Sequence, residues 1–181
     1  MPAYIALLRG INVSGHKAIK MEDLRALCSG LGFRNVGTYV QSGNIVFQTS
    51  IENPATLSKR IGERILETFG FDVPVIVRTS KQMRSVIATN PFLKEKDIDS
   101  SKLHVTFLSE TAQKDYLEKL EALSTGPDRF YPALQEIYLY CPGGYGKTKL
   151  SNNAIEKALS VKATTRNWKS TNTLLEMVSK L

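Results

Sequence analysis

The sequence predicts an α+β fold with two ferredoxin-like (βαββαβ) halves packed together, each an antiparallel sheet with helices on one face. At 181 residues the chain is long enough for one domain or for two small ones. In residues 1–90, apolar periodicity switches between strand and helix spacing in the order β-α-β-β-α-β. The second half of the chain repeats this order of elements more loosely, without a residue-by-residue repeat.

The opening elements follow from apolar spacing. Residues 4–8 are an unbroken apolar run, which favours a strand buried on both faces, and a long loop follows at 10–19. Residues 21–31 carry apolar side chains at helical intervals and precede Gly32, which is typical of a left-handed helix cap. The first helix is therefore predicted between this loop and Gly32.

A β-hairpin is predicted after the first helix. Its turn is assigned to Ser42-Gly43, because Ser-Gly suits a two-residue turn between alternating strands. This register pairs Gln41 with Asn44 and directs one face of the hairpin to the core. The other face carries Tyr39, Gln41 and Asn44, and is either open to a ligand or covered by the other half of the protein.

A helix and a strand complete the first half. Asn53-Pro54 is typical of a helix start, and Gly70 is typical of a helix end. Residues 73–77 are predicted to form a strand, and Pro74 places that strand at a sheet edge or near its own start.

The domain organisation is predicted from composition. A short linking helix is expected to end before Pro91, and residues 94–101 are a polar stretch. We therefore predict an N-terminal half with a linking helix at 1–90, a connector at 91–101, and a C-terminal half with a terminal helix at 102–181.

The second half has weaker signals. Strands are predicted at 103–107 and 137–141 and a helix at 116–123, with a break near Pro132. A further helix start is predicted at Asn153, because a glutamate stands three residues later.

Two segments resemble signatures of the DUF1697 family of bacterial proteins. The family's opening signature is matched by LLRGINVSGHKAIKMEDLRALCSGLGFRNVGTYVQSGNIVF at 7–47, and its C-terminal end by GGYGKTKLSNNAIEKALSVKATTRNWKSTNTLLEM at 143–177. Where the family usually carries a Gly pair and often Lys-Asn in the opening loop, this chain carries SGHK at 14–17. The resemblance implies a cytoplasmic α+β protein with two ferredoxin-like halves and no established function.

The net charge of +7 is unevenly distributed. Counting Lys and Arg against Asp and Glu gives +5 for residues 1–90, −3 for 91–141 and +5 for 142–181. If the two basic ends meet in space, they form a positive surface suited to an anion, such as nucleic acid or a phosphorylated ligand. The alternative is that the lysines only keep the protein dispersed.

The loop at 10–19 is the first candidate site. It is longer than the about 2–6 residues common between a strand and its helix, and long loops in compact domains are often functional. The loop carries Asn12 and Lys17 and leads into a helix N-terminus, where backbone N–H groups favour an anion. The alternative is a loop that wraps over the sheet edge and buries Ile11 and Val13.

Two C-terminal segments carry further candidate anion contacts. Residues 141–148 approach the phosphate-loop pattern G-x-x-x-x-G-K-[ST], but Cys141 takes the first position and no parallel-sheet pattern surrounds it. This segment is interpreted either as a looser phosphate contact near Lys149 or as a flexible surface loop. Arg166 offers bidentate donors for an anion, or it caps the following helix instead. Trp168 offers a surface on which a base or ring can stack, or it is a core residue instead.

These segments define one set of candidate ligand-binding residues. They are Arg9, Asn12, Lys17, Tyr39, Gln41, Ser42, Asn44, Lys149 and Arg166.

The sequence predicts no catalytic set, metal site or cofactor. His16 and His104 stand at no metal-ligand spacing from Cys, Asp or Glu. Cys28 and Cys141 are predicted to be core residues rather than disulfide or zinc partners. Ser42 is interpreted as a turn residue rather than a nucleophile.

We expect a cytoplasmic protein without a membrane partner. No window is long and apolar enough to span a bilayer, and residues 1–4 lead into a strand without a basic segment or a cleavage site. The oligomeric state is left open.

Three functions are compatible with these features. The first is a binding protein for an anionic partner, with RNA or another nucleic acid ahead of a phosphorylated small molecule. The second is an enzyme that acts on a small phosphorylated or carboxylated substrate in a cleft between the halves. The third is a protein-interaction module that uses the free sheet face.

Overall fold

The computed structural model describes all residues 1–181 and contains two four-stranded antiparallel sheets with helices. The strands are β1 (Ala3–Leu8), β2 (Arg34–Tyr39), β3 (Asn44–Gln48), β4 (Val75–Thr79), β5 (Leu103–Leu108), β6 (Arg129–Pro132), β7 (Glu136–Tyr140) and β8 (Ala163–Asn167). The α-helices are α1 (Met21–Gly30), α2 (Pro54–Phe69), α3 (Ser80–Ala88), α4 (Tyr116–Leu123), α5 (Asn152–Leu159) and α6 (Trp168–Ser179). Short 3-10 helices lie at Pro91–Lys94, Ser100–Lys102 and Tyr145–Lys147.

Both sheets have the ferredoxin-like strand order, which confirms the predicted fold. The first sheet has the order β2-β3-β1-β4 and the second the order β6-β7-β5-β8. The elements around each sheet follow the order βαββαβ along the chain. Two strands went unpredicted: β6, where only a break near Pro132 was expected, and β8, where Arg166 was interpreted as an anion contact or as part of a helix cap. Both lie at sheet edges and are only four and five residues long, so they carry little periodic signal.

The helices of the first half cover one face of its sheet. Alternate β1 side chains, beginning with Tyr4, pack into one core with Leu24 of α1 and Ile61 of α2. Helix α2 begins at a cap in which Asn53 Oδ1 accepts from two backbone amides, and it ends at Gly70, whose φ is 80°. These observations confirm the predicted start and end of α2.

Two element boundaries differ from prediction. The last strand of the first sheet begins at Val75 rather than Val73, because Pro74 has no N–H to donate and precedes the paired residues. Helix α5 is capped by Ser151, whose Oγ accepts from Ala154 N at 3.3 Å, and not by Asn153.

The hairpin register was predicted wrongly by two residues. Tyr39, not Gln41, lies opposite Asn44, so the connection is the four-residue turn 40–43. The shift is even, and side chains alternate with period two, so the predicted core face is retained. Ile45 and Phe47 are indeed buried in the core.

The chain divides into two compact units. Unit 1 comprises Met1–Ser85 and Asn172–Leu181, and unit 2 comprises Val86–Thr171. The C-terminal segment joins unit 1, where Gln48 Nε2 donates to Leu181 O at 2.9 Å. The sequence-based division with a connector at 91–101 stays a prediction. None of the helices has the length and apolarity needed to cross a membrane.

Candidate functional site

The loop after β1 is itself a small hairpin. His16 N donates to Val13 O at 2.9 Å, and Asn12 N donates to Lys17 O at 3.1 Å. The two residues between these pairs, Ser14 and Gly15, have φ of 49° and 75°. Two successive left-handed residues define a type I′ turn, the tightest connection that matches strand twist. A two-residue Ser-Gly turn, which was expected at 42–43, is therefore present at 14–15 instead.

Asn12 fixes the base of this loop. Its Oδ1 accepts from Ile19 N at 2.8 Å, and its Nδ2 donates to Ile19 O at 2.9 Å. The same Nδ2 donates to Gln41 O at 2.7 Å, across 29 positions of sequence. Asn12 itself has φ 54°, a conformation that Asn tolerates better than most residues. One side chain therefore ties the loop to the turn between β2 and β3.

The turn 40–43 is held by Asn44. This side chain is fully buried, and its Nδ2 lies 2.9 Å from Tyr39 O and 3.0 Å from Ser42 Oγ. Val40 has φ 50° although it is β-branched, and it is 49% exposed. A β-branched residue in the left-handed region is strained, and such strain is concentrated at functional sites.

Gly43 joins the turn to β1. Its carbonyl accepts from Leu8 N at 2.8 Å, and its φ is 82°. A Cβ at this position would lie 2.7 Å from both Leu8 Cβ and Ile11 Cδ1. Ile11 is buried as one sequence interpretation expected, whereas Val13 is 58% exposed.

We call residues 13–18 the clamped loop. Every residue in it is exposed. The backbone N–H groups of Val13, Ser14, Gly15 and Ala18 form no hydrogen bond within the structure. Successive N–H groups in a turn favour an anion. The loop contains His16 and Lys17, is followed by Lys20, and includes no acidic residue.

Two contacts join this part of the chain to the segment before β4, one from the clamped loop and one from the residue that follows β1. Lys17 Nζ donates to Asp72 O at 2.6 Å, and Arg9 N donates to Pro74 O at 3.0 Å. By contrast, the N-terminus of α1 carries Glu22 and Asp23 in its first turn. These carboxylates already complement the helix dipole, so the loop rather than the helix end is the anion candidate.

The remaining candidates belong to unit 2. Lys149 is exposed, and its Nζ donates to Thr125 Oγ1 at 3.0 Å. Arg166 lies on β8, is only 7% exposed, and donates through Nη1 to Thr164 Oγ1 at 2.8 Å and to Thr165 O at 3.0 Å. Trp168 is half-buried at the start of α6. The seven candidates in unit 1 are brought together around the loop and the turn: Arg9, Asn12, Lys17, Tyr39, Gln41, Ser42 and Asn44.

The second face of the hairpin is partly covered. Asn44 and Val46 are buried and Tyr39 is half-buried. A Cβ on Gly37 would lie 3.2 Å from Val46 Cγ2 and 3.4 Å from Met177 Cε, so this face packs against the C-terminal segment. The face is therefore partly covered, by a segment of unit 1 itself rather than by unit 2, and Gln41 on the same face is exposed.

The cysteines and His104 are held in environments that disfavour charge. Burial raises the pKa of Cys28 to about 12 and that of Cys141 to about 11, which confirms both as core residues. Burial also lowers the pKa of His104, whose ring stacks on Tyr145 at 5.0 Å between centroids. No group of three or more His, Cys, Asp and Glu side chains is arranged to hold a metal ion.

Sequence reasoning missed His16 and Lys20 as members of this surface. A signal was present, because Ser14-Gly15 is as good a two-residue turn as Ser42-Gly43. A turn at 14–15 places the following His16 and Lys17 beside it. The hydrogen bond between Asn12 and Gln41 could not be predicted, because it leaves no local signal in the sequence.

Comparisons with known proteins agree with this fold. The family model described as "Protein of unknown function (DUF1697)" matches residues 1–138. A solved structure, that of the conserved bacterial protein SP0830 from Streptococcus pneumoniae, is 23% identical and has a TM-score of 0.77, with 98% of each chain covered. At that identity the likeness shows the fold alone. No curated protein matches the chain.

Proposed function

We propose that this chain, which belongs to the DUF1697 family of proteins of unknown function, binds a phosphate-bearing polyanion through the clamped loop, with RNA as the leading partner. One observation carries the proposal. An exposed, rigidly held loop presents unpaired backbone N–H groups beside His16 and Lys17, and no carboxylate lies within it.

The rigidity of the loop supports a binding role. Three side-chain bonds of Asn12 and the bond from Lys17 Nζ to Asp72 O hold the loop before any ligand arrives. A loop that is already ordered loses less conformational entropy when it binds than a flexible loop does. Binding residues often lie on loops that a rigid scaffold positions, and the clamped loop is positioned in this way.

The positive net charge of the chain supports an extended polyanion as the partner. The chain carries a net charge of +7, which attracts nucleic acid over distances of about a Debye length. Backbone amides and lysines contact phosphates without reading base edges, so the proposed binding is weakly sequence-dependent and strongly salt-dependent. The proposal implies a cytoplasmic protein, since that is where such RNA is met.

A salt series of electrophoretic mobility shifts with oligouridylate RNA tests the proposal. Between about 50 and 200 mM salt, affinity should fall steeply, because bound phosphates release counterions. Replacing two lysines in K17Q/K20Q should reduce the salt slope by about two. K20Q alone should reduce it by about one and leaves the tether from Lys17 to Asp72 intact.

The matched control is K59Q/K180Q, which removes two exposed lysines elsewhere in unit 1. This variant should retain the part of the salt slope that comes from the lysines of the loop. Equal losses in both double variants would reduce the effect to net charge, and no retardation at the lowest salt would remove the nucleic-acid role. Competition by uridine monophosphate at the same phosphate concentration would assign the loop to a phosphorylated small molecule instead.

A further inference from the structure

A pocket of about 360 Å³ in unit 2 lies beside the edge strand β6 and outside every site described above. Its apolar lining comes from Leu117, Phe130 and Pro132. Its volume is within the range of ligand-binding pockets. The pocket therefore has room for an apolar side chain.

Two carboxylates at this pocket are uncompensated. Glu121 of α4 and Asp128, just before β6, line the pocket, and neither side chain forms a hydrogen bond or ion pair in the structure. The nearby Arg129 does not neutralise them. It donates to both carboxylate oxygens of Glu95, at 3.2 and 2.9 Å, and its Cζ lies 5.2 Å from the ring centroid of Phe92. The pocket thus favours a cation.

Backbone groups of β6 are also available. In an antiparallel pair, alternate residues bond the partner strand. Ala133 N donates to Glu136 O at 2.8 Å, so Tyr131 and Arg129 occupy the bonded positions towards β7. Phe130 lies between them, so its N–H and C=O point outward from the sheet edge, and Phe130 also lines the pocket.

Exposed apolar side chains surround the same edge. Leu117 and Tyr131 are 42% and 40% exposed, and Leu134, in the turn that follows β6, is 77% exposed. Exposed apolar side chains beside an open strand edge favour an interaction there, because the edge itself can pair with another strand.

We propose that the β6 edge docks an extended peptide segment in which Lys or Arg alternates with apolar residues. The peptide backbone pairs with the outward N–H and C=O of Phe130, an apolar side chain enters the pocket, and a cationic side chain meets Glu121 and Asp128. Strand addition supplies affinity through main-chain bonds, and the pocket and the carboxylates supply specificity. Pro132 limits the pairing to a short stretch, because it has no N–H. This site is independent of the clamped loop and has the opposite charge preference.

Fluorescence polarisation of labelled Val-Lys and Val-Glu alternating peptides on the full chain tests the proposal. The Val-Lys peptide should bind and the Val-Glu peptide should not. E121Q/D128N should weaken binding by about tenfold. The matched control E110Q/E118Q removes two exposed carboxylates of unit 2 outside the pocket and should leave binding unchanged. Val-Lys peptide with N-methylated amides keeps its charge and should bind at least about tenfold more weakly.

Four outcomes would overturn the proposal. They are equal binding of the Val-Glu peptide, equal loss in the two double variants, full binding by the N-methylated peptide, and displacement of the peptide by spermidine at matched amine concentration. The last would make the pocket a site for free amines. Sedimentation of the peptide-free protein adds a fifth: a dimer lost in E121Q/D128N would assign the edge to a second copy of the chain.

Discussion

The two units end their first strands in the same way and then diverge. In unit 1, Leu8 N donates to the carbonyl of Gly43 at 2.8 Å; in unit 2, Leu108 N donates to that of Gln135 at 2.8 Å. The residue that follows each of these leucines donates to the segment before the last strand of the same sheet. Arg9 N donates to Pro74 O, and Ser109 N donates to Lys162 O. Beyond these shared bonds, the side-chain ties differ: Asn12 joins the loop of unit 1 to a turn through Gln41 O, whereas Ser109 Oγ in unit 2 accepts from Lys162 N.

The difference shows how one scaffold supports two kinds of surface. Unit 1 has a long polar loop tied by Asn12 to a four-residue turn. In unit 2, the corresponding turn is tied by Tyr116 at the start of α4, whose Oη donates to Ala133 O at 3.2 Å, and this turn exposes Leu134. Backbone pairing at the strand ends is common to both, whereas the residues added beyond the strand ends decide what each unit presents.

The largest expected effect is at the turn of unit 1. Gly43→Ala should lower the free energy of unfolding by about 2–4 kcal/mol, because the new Cβ is strained at positive φ and collides with Leu8 and Ile11. Urea denaturation measures the change. Gly30→Ala, at a helical position with open space around it, should instead be neutral or stabilising by up to about 1 kcal/mol. An equally mild Gly43→Ala would contradict the close approach of turn and strand.

The next effect concerns the clamp. Asn12→Ala removes three side-chain hydrogen bonds and should lower the free energy of unfolding by about 1–3 kcal/mol. Hydrogen exchange at Ile19 should accelerate, because its amide loses its acceptor. Ser109→Ala is the counterpart in unit 2 and removes one acceptor, that of Lys162 N, so a loss of about 0.5–1.5 kcal/mol is expected. A larger loss of stability in Ser109→Ala than in Asn12→Ala would mean that the side-chain tie of unit 1 is not the stronger of the two.

The smallest effect distinguishes the units by pH. His104 occupies the β5 position that corresponds to Tyr4 in β1, and burial lowers its pKa. The unfolded chain therefore binds a proton at about pH 6.5 while the folded chain does not. The stability that comes from neutral His104 should be fully present above that pH. It should decline as the pH falls from about 6.5 towards the lowered pKa of His104 in the folded state.

Urea midpoints at about pH 7.5 and about pH 5.5 measure this decline, which spans the ordinary His pKa. His104→Tyr, which places the unit 1 residue type in unit 2, should remove the part of the decline that comes from His104. His16→Gln, in the exposed loop, should retain it. A decline of the same size in His104→Tyr would assign the pH dependence to other groups.

Local signals predicted much of the fold. The cap at Asn53, the end at Gly70 and the apolar spacing of α1 act within a few residues, so they can be recognised along the chain. The candidate site was predicted in part, since Asn12, Lys17 and Gln41 were chosen for their donors and acceptors. The hairpin register failed, because Ser42-Gly43 and Ser14-Gly15 carry the same local signal and only packing selects between them.

The sequence by itself determined the order of elements in the first half, the core face of the hairpin and both ends of α2, because periodicity and capping are properties of neighbouring residues. Only the tertiary structure decided that Asn12 bonds Gln41, that Gly43 lies against Leu8, and that the last ten residues join unit 1. These contacts join residues far apart in the chain. Their geometry exists only after the sheet has formed, and no local pattern of residues specifies it.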